Sequence, residues 1–168
     1  MSELQRFLSH AVALENDAAE RYDELHRAMQ VHNNAEIAEV FAKMAYYSRL
    51  HRDEARERAD RAGGVLGIRP WDFDWGGQES PESAATEATH YRMTAREALD
   101  VALAAERTAH AFYARVAAHT TDADVGRLAV EFAEEEAGHA AEIERWIERL
   151  PDEDPDPLGD LDPPLDVE

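Results

Sequence analysis

The 168-residue chain predicts an all-α fold, an antiparallel four-helix bundle with one long crossover between the second and third helices. Three observations lead there. Four long segments carry apolar residues at steps of three and four, the spacing of a helix with one buried side. The first and last connections between those segments are short and the middle one is long, a known route to such a bundle. Each apolar seam is also broken near its middle by a carboxylate, an imidazole or both.

The first helix is expected from about Glu3 to about Val31, with Ser2 and Gln5 as a capping box. Its seam is Leu4, Leu8, Ala11, Glu15, Ala18, Tyr22, Leu25 and Met29. The second helix begins after Asn33, with Glu36 at its third position, and ends at Gly63-Gly64. Its seam is Ile37, Phe41, Met44, Ser48, His51 and Ala55. Residues 65–80, VLGIRPWDFDWGGQES, make a poor helix and read as a packed crossover, and Ser80-Pro81 can open a short helix. Thr94 with Glu97 caps the third helix, whose seam is Leu99, Leu103, Glu106, Tyr113 and Val116. Thr121 or Asp122 caps the fourth, which ends near Pro151. There Val125, Leu128, Phe132, Glu136, His139, Ile143, Trp146 and Leu150 share one side.

Two regions are expected: the bundle over residues 1–150 and an acidic, Pro-rich tail over 151–168. The tail holds eight acidic side chains, five prolines and no basic residue, and it reads as disordered. The chain carries a net charge of −20, which argues against nucleic acid as a partner, since phosphate binding needs Lys and Arg. With no cysteine, disulfides, iron–sulfur clusters and thiolate zinc sites are excluded. No apolar run approaches the ~20 residues that span a bilayer, and MSELQRFLSH is no signal peptide. No membrane association and a cytoplasmic location are therefore expected.

The two hairpins echo one another. Leu14-Glu15 with Tyr22 seven residues beyond Glu15 matches Ala105-Glu106 with Tyr113, and Ala45 with His51 matches Ala133 with His139. Helices about 8–10 Å apart bring Glu15, His51, Glu106, Glu136 and His139 to one level. Glu136 and His139, three residues apart, share a face with a rise of about 4.5 Å. Buried carboxylates and imidazoles are costly unless paired or bound to metal. This mixture of oxygen and nitrogen donors suits iron or manganese, and zinc also accepts it.

These residues resemble the pattern of the ferritin-like di-iron carboxylate proteins, and most closely their rubrerythrin branch, over residues 1–150. In that pattern the first and third helices each carry a Glu, matched by Glu15 and Glu106. The second and fourth carry Glu-x-x-His, matched in full by Glu136 and His139 and in part by His51. Ser48 stands where the second-helix Glu belongs, and Leu103 where a further third-helix Glu can occur. With no cysteine in the chain, no rubredoxin domain is expected.

The resemblance implies two iron ions held by Glu15, His51, Glu106, Glu136 and His139. It implies reduction of hydrogen peroxide or dioxygen, with Tyr22 and Tyr113 lining the pocket as catalytic candidates. It also implies an external electron donor, rubredoxin-like or other, and a homodimer. Ser48 leaves three carboxylates against two divalent cations. A hydroxide, an anion, another protein carboxylate or the Ser48 hydroxyl itself then completes the site. His110, Glu20, Glu54 and Glu142 are further candidates for ligands or supporting partners. Two other outcomes stay open: a ferroxidase that handles iron for storage or transfer, and a non-catalytic metal-binding bundle.

Overall fold

A computed structural model describes residues 2–67 and 93–151. Four helices account for nearly all of them: α1 (Glu3–Val31), α2 (Ala35–Arg61), α3 (Ala95–His119) and α4 (Ala123–Arg149). The expected short helix at Ser80-Pro81 and the expected disorder of the tail lie outside the described residues.

The helix ends follow local chemistry. Thr94 and Glu97 form a reciprocal capping box, so two of the amide donors orphaned at the start of α3 are satisfied. Asp122 caps α4 by accepting from the amides of Asp124 and Val125. At α2 the cap is Asn34 rather than Asn33. The side chain of Asn34 accepts from the Ile37 amide, while Asn33 takes the left-handed turn conformation with φ 54°. Gly63 and Gly64, at φ 119° and 99°, then close α2, and the Gly64 amide returns to the Ala59 carbonyl at 2.8 Å.

The expected capping box at Ser2 forms only by half. Ser2 accepts from the Gln5 amide, but the Gln5 side chain instead donates to the Gly64 carbonyl at 2.9 Å. That bond ties the start of α1 to the end of α2. Ser9 adds a second tie, since its hydroxyl accepts from the Leu66 amide at 2.9 Å.

Cross-helix contacts set the direction of each helix. Gln5 meets Gly64 and His26 meets Ala38, so α1 and α2 are antiparallel. His110 meets Ala133 and Arg107 meets Glu144, so α3 and α4 are antiparallel. Tyr22 meets Glu106 while Glu3 meets Thr120, so α1 and α3 are antiparallel as well. Both α2 and α3 therefore oppose α1 and run parallel to each other. A tight turn cannot join two parallel helices, because the chain must return the length of the bundle, roughly 40 Å for 27 residues. The long link over 62–94 follows from that requirement.

The apolar core falls into two clusters. One packs Leu25, Met29, Ile37, Phe41, Met44, Leu99 and Ile143 toward the α1–α2 turn. The other packs Phe7, Leu8, Val12, Phe112, Tyr113, Val125 and Leu128 toward the opposite end. Each large apolar side chain contributes about 1.5–3 kcal/mol by leaving water. Between the clusters lies a polar layer.

Candidate metal centre

The polar layer contains Glu15 from α1, Ser48 and His51 from α2, Glu106 from α3, and Glu136 and His139 from α4. Glu15, Ser48, Glu106 and Glu136 are all buried, at 6%, 4%, 5% and 4% exposure. Each sits on the seam its helix turns inward, so the packing that buries Phe41 or Ile143 also buries these groups. An ionised carboxylate costs several kcal/mol to bury unpaired. Three such costs would consume most of the roughly 5–15 kcal/mol by which a domain is stable. The layer persists only if its charges are neutralised by protons or by cations.

Without metal, protons do this. Burial, reinforced by the neighbouring Glu106, pushes the Glu15 carboxyl up to about 8. Burial beside Glu106 and Glu15 likewise holds Glu136 well above the usual carboxylate range. Burial would also raise Glu106, but its close polar neighbours Glu136, His139 and Tyr22 hold it below its ordinary value. Burial thus favours the protonated form of Glu15 and Glu136, while Glu106 is the most acidic of the three. Burial alone would lower His139, yet the adjoining Glu106 carboxylate raises it. His51 goes the other way, lowered by burial and by repulsion from His139.

The distances between donor atoms matter more than the charges. Nδ1 of His139 lies 3.6 Å from Oε2 of Glu106 and 3.8 Å from Oε2 of Glu136. Donor atoms of Glu106, Glu136 and His139 all fall within 4.8 Å of one another. Nδ1 of His51 lies 3.9 Å from Oε1 of Glu15. These gaps are too long for direct hydrogen bonds, which need about 2.7–3.2 Å. They suit ligands of a shared ion, since donors about 2.0–2.2 Å from a metal lie roughly 3–4 Å from each other. Oε2 of Glu106 and Nδ1 of His51 are buried with no hydrogen-bond partner. Buried polar atoms left in that condition are rare, and a cation would satisfy both. The donor set thus fits the metal that the sequence implies. The imidazole rings of His51 and His139 lie nearly parallel, with centroids 5.5 Å apart.

The remaining candidates separate clearly. Tyr22 reaches the centre, where its hydroxyl donates to Oε1 of Glu106. Burial and the Glu106 carboxylate keep that phenol protonated, well above its usual range. Tyr113 is also buried, with its ring packed against Phe7, Phe112 and Phe132. Leu103 stays in the apolar core. His110 turns away from the centre, with Nδ1 2.8 Å from the Ala133 carbonyl, which joins α3 to α4. Glu20 is exposed and accepts from Asn16, so it is no substitute ligand. Glu142 pairs with Lys43 at 2.8 Å and does not orient His139. Glu54 remains near, lining a small cavity with Glu15 and His51.

Sequence reasoning missed Glu135. Its Oε2 lies 3.7 Å from Nδ1 of His51, and its carboxylate is also felt by His139. The available signal was its position four residues before His139, which places both on one helical face. The surrounding run Glu134-Glu135-Glu136 disguises it as ordinary solvated helix.

Comparison with known proteins places the chain in a family. A family model described as rubrerythrin matches residues 6–146. The crystal structure of an uncharacterized conserved protein from Magnetospirillum magnetotacticum MS-1 is similar at 38% sequence identity. The match covers 92% of this chain and 99% of that one, with a TM-score of 0.76. No curated protein matches the chain. With its bundle, its Glu-x-x-His on α4 and a family match over most of its length, the chain belongs to the rubrerythrin family.

Proposed function

We propose that the chain is a non-haem di-iron redox protein that reduces hydrogen peroxide or dioxygen in the bundle core. The observation that carries this reading is the convergence of Glu106, Glu136 and His139 donors within 4.8 Å in a buried layer. Those three would hold one ion, and Glu15 with His51 would hold the second. Two bound ferrous ions would supply the two electrons that convert one peroxide to water.

The protein's own part is to shape and dry the site. Phe7, Phe132 and Tyr113 pack on one side of the layer, and Met44, Leu103 and Ile143 lie in the core on the other. Such walls exclude bulk water and keep charge interactions strong. Tyr22 fixes one oxygen of Glu106 and leaves the other free to face His139. The phenol stays protonated across the physiological range and so remains a donor to that carboxylate. Glu15 and Glu136 give up their protons as cations bind, so that loading releases protons.

With no cysteine in the chain, electrons would come from a separate donor, rubredoxin-like or other. Manganese or zinc would suit the same donors, and a homodimer is part of the same proposal. No helix among the described residues is long and apolar enough to cross a membrane.

The test is anaerobic ferrous loading followed by a peroxide pulse in a stopped-flow spectrometer. Oxidation much faster than that of free ferrous ion, complete after about one peroxide per pair of irons, is expected. Oxidation at the rate of free ferrous ion would refute the redox reading. Uptake and oxidation of many irons per chain would replace it with iron storage or transfer.

A further inference from the structure

We infer that the outward face of α2 around Tyr46, Tyr47 and Leu50 is the surface on which a second copy of this chain docks, with the two α2 helices packed antiparallel across a twofold axis at the height of Ser48. This rests on the homodimer of the proposed function, to which it gives an interface, and not on the metals.

Tyr46 and Leu50 stand one turn apart on α2, opposite the seam that Phe41, Met44 and Ser48 turn into the bundle. They are 62% and 41% exposed, and Tyr47 beside them is 36% exposed. The other exposed large apolar side chains among the described residues, Val31, Val65 and Val130, lie on three separate segments. Scattered apolar side chains need no explanation, but three within one helical turn make a patch. The patch is also arranged before any partner arrives. The Tyr46 and Tyr47 rings meet edge to face with centroids 5.7 Å apart, and Lys43 Nζ lies 5.8 Å from the centre of the Tyr47 ring. Tyrosine gives large contact area at little cost in conformational entropy.

Charge identifies the partner. A net charge of −20 makes most of the surface repel a copy of itself. Residues 43–53 are an exception, with Lys43, Arg49 and Arg52 against Asp53. The flanking charges are also placed symmetrically, Lys43 three residues before Tyr46 and Asp53 three residues after Leu50. A twofold axis midway sets Tyr46 beside Leu50 of the copy and turns Lys43 toward Asp53 of the copy, with each contact made twice. Lys43 and Asp53 have partners in their own chain, Glu142 at 2.8 Å and Arg52 at 3.0 Å. Their side chains stay 52% and 61% exposed, which leaves each open to a second opposite charge. A parallel copy would oppose Lys43 to Lys43 and Asp53 to Asp53. A different protein would not require opposite charges that mirror one another about the middle of this face. The next pair outward, Glu39 with Glu57 of the copy, is acidic on both sides and opposes association. One helix face is also small against the roughly 800 Å² per partner of a standard interface. A dimer that dissociates on dilution is therefore expected.

The test is sedimentation velocity of the full-length chain, diluted through the micromolar range, with circular dichroism to show that each variant folds. Wild type should pass from dimer to monomer on dilution. Leu50→Lys, at an exposed position, should move that midpoint at least about tenfold toward higher concentration. Lys43→Asp and Asp53→Lys should each weaken the dimer severalfold, because like charges then face each other. The double variant Lys43→Asp/Asp53→Lys should recover most of that loss. Val130→Lys, on the exposed side of α4, should match wild type. A Leu50→Lys chain that dimerises as tightly as wild type would overturn the assignment and leave a homodimer with another interface. Single charge swaps that weaken the dimer with no recovery in the double variant would overturn the antiparallel pairing. A wild type that is monomeric throughout would overturn both the interface and the homodimer. None of these outcomes touches the metal centre, which the peroxide pulse tests separately.

Discussion

His139 and His51 occupy matching places in the two hairpins, yet their surroundings differ. His139 sits three residues after Glu136 on the same helix, and the nearby Glu106 carboxylate raises its pKa. His51 sits three residues after Ser48, and burial together with His139 lowers its pKa. The α3–α4 half carries a full set of donors on its own two helices. The α1–α2 half carries only Glu15 and His51, and its nearest further carboxylate comes from α4. An internally repeated fold can therefore keep the position of a polar layer while its two halves carry different numbers of carboxylates.

The strongest way to break this comparison is at Glu136, which adjoins both Glu106 and Glu15. Glu136→Gln should abolish tight uptake of the ion assigned to Glu106, Glu136 and His139. Inductively coupled plasma analysis after ferrous loading and desalting checks this. Retention of wild-type metal content at wild-type affinity would break the comparison.

A second effect, of a few kcal/mol, is expected in the metal-free protein as pH changes. Glu15 is raised from 4.5 to about 8, Glu136 is raised as well, and His139 is raised above 6.5. A raised group stabilises the fold below its unfolded pKa, and that contribution is lost as pH rises through its folded value. The metal-free chain should therefore lose stability steadily between pH 4.5 and about 8. Lowered Glu106 and lowered His51 act in the opposite sense, Glu106 at the acid end and His51 below its ordinary 6.5. Urea midpoints at about pH 5 and about pH 8 measure the slope. The loaded protein should not show it, because cations hold the carboxylates ionised.

Tyr22→Phe sharpens the comparison from inside the complete half. It removes the hydroxyl that orients Glu106. Affinity at the Glu106–Glu136–His139 position should fall by roughly 10–100-fold, the usual effect of losing a group that orients a ligand. Affinity at the other position should change less, and a two-phase cobalt titration separates the two.

Thr94→Ala should cost only about 1 kcal/mol of stability, because it removes the α3 cap. Metal affinity should stay as it was, since the cap lies about three turns from Glu106. Thermal melting and the same titration check both halves of that statement.

The fold was readable because each seam is long and regular. Ile37, Phe41 and Met44, or Val125 and Leu128, leave little choice of period, and all are buried as expected. Thr94 with Glu97 and Gly63-Gly64 mark helix ends by chemistry that acts within a few residues. The polar layer was readable where an acidic side chain breaks an apolar seam, since Glu15, Glu106 and Glu136 are all buried.

Less was legible where two neighbours offer the same chemistry or where a partner is distant in sequence. Asn33 and Asn34 are both good caps, and only the backbone turn decides between them. Gln5 matches a capping box, but Gly64 offers a carbonyl that no local pattern announces. His110 resembles a ligand by spacing and is instead spent on the Ala133 carbonyl. Glu135 is hidden in a run of three glutamates, and its approach to His51 depends on where α2 places that ring across the bundle.

The most direct measurement of the central claim is the metal content of the full-length protein, purified without added metal and then offered ferrous ion under anaerobic conditions. Buried carboxylates and imidazoles that face one another without touching predict uptake of about two ions per chain, with protons released as they bind. A chain that takes up no ferrous ion, and whose stability is unchanged by it, would contradict the account.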